Sequence, residues 1–242
     1  MTRAGLEAVV IPAYNEAATI RDVAQRARRQ ADLVIVVDDG SSDGTAAALA
    51  GLDVVLLRND GNLGKAASLR RGADEALRRG ARAIVTLDGD GQHFPEDIAL
   101  LLRAWREAPE HIVIGARLHR RSHIPRARYW ANRVANFWIG LAAGYAIADS
   151  QSGFRVYPAR LLREARVRCD RSRSFVFESE ILIEAARRGV LARCVPVQVV
   201  YSSRARASHF RPVLDIARIV RMVAWRLVTQ GLAQRAAALR RA

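Results

Sequence analysis

Short, apolar, β-branched runs alternate with helix-like patterns through the first half of the chain. Residues 8–11, 33–37, 54–57, 83–87 and 112–114 read as strands buried on both faces. Between them, residues 17–30, 45–50, 65–79 and 95–107 read as helices, with Gly80 where a helix-terminal glycine belongs and Pro95 suited to a first turn. A strand followed by a helix, four times over, predicts a mostly parallel, doubly wound α/β sheet. Ligands of such sheets bind outside the carboxyl ends of the strands. The polar motifs fall at those ends: Pro12-Ala13-Tyr14-Asn15-Glu16, Asp38-Asp39-Gly40-Ser41, residues 59–64 and Asp88-Gly89-Asp90. Four loops therefore converge on one rim.

The second half changes texture. Residues 126–148 form a long helical candidate with Arg126, Arg128 and Arg133 ahead of an apolar stretch containing Phe137 and Trp138. Residues 153–157 and 194–201 read as strands, 177–188 as a helix closed by Gly189, and 212–239 as a helix with Arg218, Arg221, Trp225 and Arg226. The expected division is one α/β domain over 1–211 and a basic amphipathic tail over 212–242, with no repeat or linker to split the chain further. The 242 residues, 50% hydrophobic, suffice for one sizeable core. Thirty-nine Lys+Arg against 24 Asp+Glu give a net charge of +15, which fits nucleic acid, an anionic membrane surface or a phosphorylated substrate. Lys65 is the single lysine, and the arginine–alanine bias means that part of the charge reflects composition rather than a ligand. Two cysteines, Cys169 and Cys194, are too few for a metal cage or disulfide framework, so a reduced, cytosolic setting is the expectation. No signal-peptide pattern precedes the first strand, and the longest uncharged stretch, 137–148, is about a dozen residues where about 20 are needed to span a bilayer. Any membrane contact is expected to be peripheral, at the inner face.

Asp88 and Asp90, two residues apart after a buried strand and followed by Gln92, form an oxygen-rich set suited to Mg²⁺ or Mn²⁺; an acidic turn is the plainer alternative. Calcium loops of the EF-hand type are excluded. From Asp39 the twelfth position is Ala50 instead of glutamate, and from Asp88 the sixth is His93 instead of glycine.

Five motifs occur together: residues 10–16, residues 37–45, Asn62-Leu63-Gly64-Lys65, Asp88-Gly89-Asp90-Gly91-Gln92-His93 and Ser152-Gly153-Phe154-Arg155. In this order and spacing the chain resembles the family 2 glycosyltransferases, above all the dolichyl- or polyprenyl-phosphate mannose and glucose synthases, over roughly residues 7–211. The resemblance implies a GT-A (Rossmann-like) fold, a nucleotide-diphosphate sugar donor, a divalent metal and inversion at the anomeric carbon. By the same resemblance Pro12, Tyr14, Glu16, Val37 and Asp39 surround the nucleoside, with Lys65, Asp88 and Gly89 also on the donor side. Asp88, Asp90 and Gln92 hold the metal, and Asp90 counts as catalytic through it. Arg117 meets a donor or acceptor phosphate, or is a solvated surface arginine. Asp149 is the acceptor-side carboxylate: a general base if the acceptor is a hydroxyl, an orienting group if it is an ionised lipid phosphate, or merely a helix-terminal Asp before a turn. Ser152, Gly153, Phe154, Arg155 and Glu180 lie on the acceptor side. Glu178 is as well explained by a helix-start preference as by function.

Arg204, Arg206 and His209 match a basic loop that closes over the diphosphate, although Ala207-Ser208-His209 departs from the Gly-x-Ser-Lys of the nearest synthases. His93 and His209 are otherwise ordinary loop residues, and neither reads as a metal ligand. The helical stretches 126–148 and 212–239 mix arginines with Trp130, Phe137, Trp138 and Trp225, as helices in a bilayer interface do; core packing or a homodimer contact explains them equally.

The expectation is thus a metal-dependent inverting hexosyltransferase acting on a polyprenyl phosphate or similar lipid at the membrane surface. The alternative acceptor is soluble or carries no phosphate: a sugar acid, a glycan or an aryl lipid. Nucleic-acid binding rests on charge alone and lacks a recognition motif, so no nucleic-acid partner is expected. A sugar nucleotidyltransferase would need a glycine-rich loop after the first strand, which is missing.

Overall fold

The computed structural model describes residues 5–117, 126–165, 167, 169, 176–199, 220, 221, 223 and 224. Strands β1 (Glu7–Ala13), β2 (Leu33–Asp38), β3 (Val55–Arg58), β4 (Ala83–Thr86), β5 (Ile112–Ala116), β6 (Arg155–Pro158) and β7 (Ala192–Pro196) form one sheet in the order β3-β2-β1-β4-β6-β5-β7. β1 lies between β2 and β4, parallel to both, with Val10 opposite Ile35 and Thr86. β6 alone runs antiparallel, wedged between β4 and β5 with Val156 opposite Val85 and Val113. That reversal matters for the site, because it delivers the start of β6 to the rim where the parallel strands β1, β2 and β4 end.

Helices α1 (Ile20–Arg28) and α4 (Asp97–Glu107) cover one face of the sheet. Helices α3 (Lys65–Arg78), α5 (Arg126–Ala143) and α7 (Phe177–Arg187) cover the other, and α2 (Thr45–Ala48) and α6 (Ala159–Glu164) are short. Alternate strand residues feed the two apolar layers: Val10, Ile35, Val37 and Ile84 point to the α3 side, and Val9, Ile11, Val36 and Val85 to the α1 side. Such burial of both faces makes the central strands continuous apolar runs. The expected run at 54–57 behaves differently: β3 is an edge strand whose residues alternate between half-buried and exposed. Its apolar composition gave no hint of the edge, since position in a sheet is set by neighbours.

The helix expected to reach residue 148 stops at Ala143. Gly144 takes φ +81°, and its N–H and that of Tyr145 both return to the Gly140 carbonyl. Residues 194–201 yield a strand that starts earlier, at Ala192, and ends at Pro196. Of the tail, Val220, Arg221, Val223 and Ala224 are helical, and Val223 is fully buried in the cluster that includes Ala135 and Ile139. The remainder of the tail lies outside the described residues, as do Arg204, Arg206, His209 and Trp225. No helix among the described residues is long and apolar enough to cross a membrane.

Candidate active site

The first two loops of the rim are knitted by side chains. Asn15 adopts φ +55°, donates its N–H to Ser41 Oγ at 2.9 Å and accepts the Ser42 N–H at 2.9 Å. The Glu16 N–H donates to Thr45 Oγ1 at 2.8 Å. Gly40, at φ +71°, passes so close to the next loop that a Cβ there would lie 2.6 Å from the Gly61 backbone. Tyr14 and Glu16 stand half-buried on this rim, while Pro12 is buried and Val37 belongs to the core under α3. Asp39 is buried and engaged within the protein: Oδ1 accepts from the Leu63 N–H (2.9 Å) and Asn59 Nδ2 (2.7 Å), and Oδ2 from the Gly64 N–H (2.8 Å). Its carboxylate anchors the loop that leads into α3.

Lys65 opens α3 and points its ammonium at two carboxylates. Nζ lies 2.6 Å from Asp88 Oδ1 and 3.0 Å from Glu178 Oε1. Gly153 leaves room for it, since a Cβ there would sit 2.8 Å from Nζ and 3.1 Å from Asp88 Oδ2. Thr86 Oγ1 fixes Gly153 by donating to its carbonyl at 2.6 Å. Loss of water opposes the charge on Lys65, but Asp88 and Glu178 outweigh it and raise the ammonium above its ordinary value. Desolvation likewise opposes charge on Asp88, and Lys65 reverses it, holding that carboxyl low. Asp90 goes the other way: desolvation first and the Asp88 charge second raise its carboxyl, although the Gln92 N–H donates to Oδ1 at 3.0 Å. Lys65 thus neutralises one carboxylate and leaves its neighbour short of positive charge.

That imbalance, with oxygen donors from Asp88, Asp90 and the half-buried Gln92, fits a hard divalent ion. Among the described residues no three His, Cys, Asp or Glu side chains gather around one point. The set therefore suits an ion that completes its shell with water and substrate phosphate.

Across the rim, Arg117 and Asp149 form a buried clamp. Asp149, with 0% exposure, accepts from the Arg117 N–H (3.0 Å), Nε (2.9 Å) and Nη2 (3.1 Å). Burial alone would raise this carboxyl, but Arg117 prevails and holds it below the ordinary carboxylate value. Arg117 is therefore no solvated surface residue. Asp149 is no helix end either, since α5 finishes at Ala143. Asn136 of α5 secures the same turn, accepting the Ser150 N–H at 2.9 Å and donating Nδ2 to the Ala148 carbonyl at 2.6 Å.

Phe154 and Arg155 lie wholly beneath the rim. The Arg155 guanidinium donates to the carbonyls of Ser150 (2.8 Å), Ser152 (2.7 Å) and Glu178 (2.7 Å), so it ties the Ser150–Gly153 turn to the start of α7. Ser152 is buried in that turn and Glu180 is buried on α7. It is Glu178 that reaches Lys65; its position in a first helical turn, where acidic residues are common, hid this role in the sequence. His93 is no ordinary loop residue. It is 5% exposed, its ring meets Phe154 at 5.1 Å, burial and Arg117 lower its value to about 4, and Nδ1 has no hydrogen-bond partner.

The chain is similar to several known proteins. Polyprenol monophosphomannose synthase of Mycolicibacterium smegmatis is 31% identical over 200 residues, covering 78% of this chain and 75% of that protein. UDP-N-acetylglucosamine–dolichyl-phosphate N-acetylglucosaminyltransferase of Methanococcus voltae is 28% identical over 215 residues, covering 80% and 85%. Among solved structures, glucosyl-3-phosphoglycerate synthase from Mycobacterium tuberculosis with Mn²⁺, UDP and glucosyl-3-phosphoglycerate superposes with a TM-score of 0.68 at 18% identity, covering 93% of this chain and 80% of that one. The fold is therefore of the GT-A type. Residues 8–166 match the model described as "Glycosyl transferase family 2". Sheet, rim motifs and relatives converge on one conclusion: the chain is a glycosyltransferase and belongs to family 2.

Proposed function

We propose that the protein transfers a hexose, with inversion, from a nucleotide-diphosphate sugar to a polyprenyl phosphate at an anionic membrane surface. The observation that carries this reading is the Arg117–Asp149 clamp. A carboxylate held ionised, buried and engaged by Arg117 and the Gln151 N–H is a poor general base, so the acceptor must arrive with its nucleophilic oxygen already deprotonated. A phosphate monoester does, whereas a sugar hydroxyl does not. Names of relatives lean the same way, including an undecaprenyl-phosphate mannosyltransferase of Micrococcus luteus at 29% identity over 206 residues.

In this reading the rim around Tyr14 and Glu16 holds the nucleoside, and Asp88, Asp90 and Gln92 would hold Mg²⁺ or Mn²⁺. When bound, that ion supplies Lewis-acid stabilisation of the departing diphosphate. Arg117, aimed by Asp149, pairs with the acceptor phosphate. An acceptor phosphate oxygen attacks the anomeric carbon in line and forms the new C–O bond, the bond from that carbon to the donor's diphosphate oxygen breaks, its electron pair leaves with the nucleoside diphosphate, and no proton moves. Arg204, Arg206 and His209, outside the described residues, belong to the donor side of this scheme.

Helix α5 supports a membrane partner. Trp130, Val134, Phe137 and Leu141 form one stripe at helical spacing and are 65%, 42%, 65% and 53% exposed. Across the helix, Asn136 holds the turn that carries Asp149. In this reading the stripe rests on the bilayer that holds the acceptor.

Transfer is measured from a panel of nucleotide-diphosphate sugars with Mn²⁺ to polyprenyl phosphate, polyprenol and free sugar. Only the phosphate should accept, and equal use of polyprenol or free sugar would overturn the acceptor assignment. Asp90→Ala should lose Mn²⁺-dependent donor binding and transfer with the fold intact; full activity removes the metal site. In flotation, Trp130→Ser/Phe137→Ser should release the protein from anionic vesicles, and a wild-type protein that fails to float ends the membrane reading.

A further inference from the structure

We propose that Lys65 competes with the divalent cation for Asp88, so that the protein takes up the cation weakly alone and tightly only together with a nucleoside diphosphate. The inference rests on the metal-dependent reading above and says how that site is loaded.

Lys65 Nζ lies 2.6 Å from Asp88 Oδ1. A cation bound to that oxygen would stand within a few ångströms of a half-buried ammonium, and the two like charges would repel. Three features make the ammonium displaceable. Glu178 Oε1, 3.0 Å away, offers it a second seat. Gly153 bounds it without a Cβ, so the amine has room to shift. It is also the single lysine of the chain, whose other Lys+Arg residues are all arginine. An ammonium on a flexible stem releases a carboxylate more readily than a guanidinium, whose fork grips both oxygens.

Among the described residues no three His, Cys, Asp or Glu side chains gather at one point, so the carboxylates described there are few for pulling a cation past this competitor. A diphosphate changes the balance twice: it adds oxygen ligands to the cation and gives the displaced Lys65 an anionic partner. Cation and diphosphate must then raise each other's affinity by the same factor.

Mn²⁺ binding is followed by electron paramagnetic resonance and calorimetry, with and without saturating UDP or GDP. Wild type is compared with Lys65→Met, Glu178→Gln and the double variant, each checked for folding by circular dichroism. Lys65→Met should bind Mn²⁺ alone about tenfold tighter or more, and the enhancement by the diphosphate should shrink by a similar factor. The double variant keeps the net charge of the site and spares Asp88 a second uncompensated carboxylate, so it carries the test even if Lys65→Met fails to fold. It too should bind Mn²⁺ alone more tightly than wild type. Unchanged or weaker Mn²⁺ binding in the double variant, with wild type still binding Mn²⁺ in the presence of UDP or GDP, overturns the competition and leaves the metal site standing. Absence of Mn²⁺ binding by wild type with either nucleotide overturns the metal reading and this inference together.

Discussion

Asp149 shows how burial and a partner together set the behaviour of a single group. Isolated, a fully buried carboxyl would be neutral; beside Arg117 it stays charged and directs the guanidinium. Asp149→Asn removes the charge but not the shape, leaving Arg117 without its buried counter-ion. Stability should fall by about 3 kcal/mol at neutral pH, read by urea unfolding. Transfer should drop by about 100-fold as Arg117 loses its aim. The wild-type carboxyl titrates below its ordinary 3.8 in the folded chain. The pair's contribution is therefore complete above that value and disappears as pH falls through the folded one, so the stability gap between the two proteins should close only in strong acid. Equal stability at neutral pH would show that the clamp contributes nothing.

Helix α3 links the core to the chemistry, because its first residue carries the ammonium of the site and its middle rests on β1 and β2. Gly72 permits the close approach: a Cβ there would collide with the Val10 side chain and lie 3.0 Å from Val37 Cγ2. Both neighbours are branched core residues in the central strands, so neither can swing aside. Gly72→Ala gains about 1 kcal/mol of helix propensity but costs about 1–3 kcal/mol in overpacking. We expect a net loss near 1 kcal/mol in urea unfolding and a fall in kcat/KM as α3 and Lys65 move outward. A stabilised, fully active variant would mean that α3 can lift without disturbing Asp88. Gly72 falls within the run 65–79 that reads as a helix, and the contact with Val10 and Val37 explains it.

At the scale of the molecule, one described residue of the expected tail, Val223, is fully buried in the cluster that includes Ala135 and Ile139. Removing residues 212–242 should lower the thermal midpoint by about 5 °C or more through lost apolar burial. An unchanged midpoint would make the tail a separate appendage. Glu7 makes a second long-range tie at the opposite end of the sheet, where Arg82 (3.1 Å) and Arg106 (2.5 Å) converge on its buried carboxylate. Local order was legible without coordinates: the strands from β1 to β5, the helices between them and the four polar loops at strand ends follow from periodicity, because each residue's burial repeats with the period of its own element. Periodicity does not report partners. The edge position of β3, the antiparallel insertion of β6, the Lys65–Asp88–Glu178 triad and the Arg155 tie depend on which strands share a ladder and how closely their loops meet. Those contacts join residues up to 113 positions apart, from Lys65 to Glu178. The amino-acid order by itself determined which residues could reach the rim, and only the packed sheet decided which of them touch.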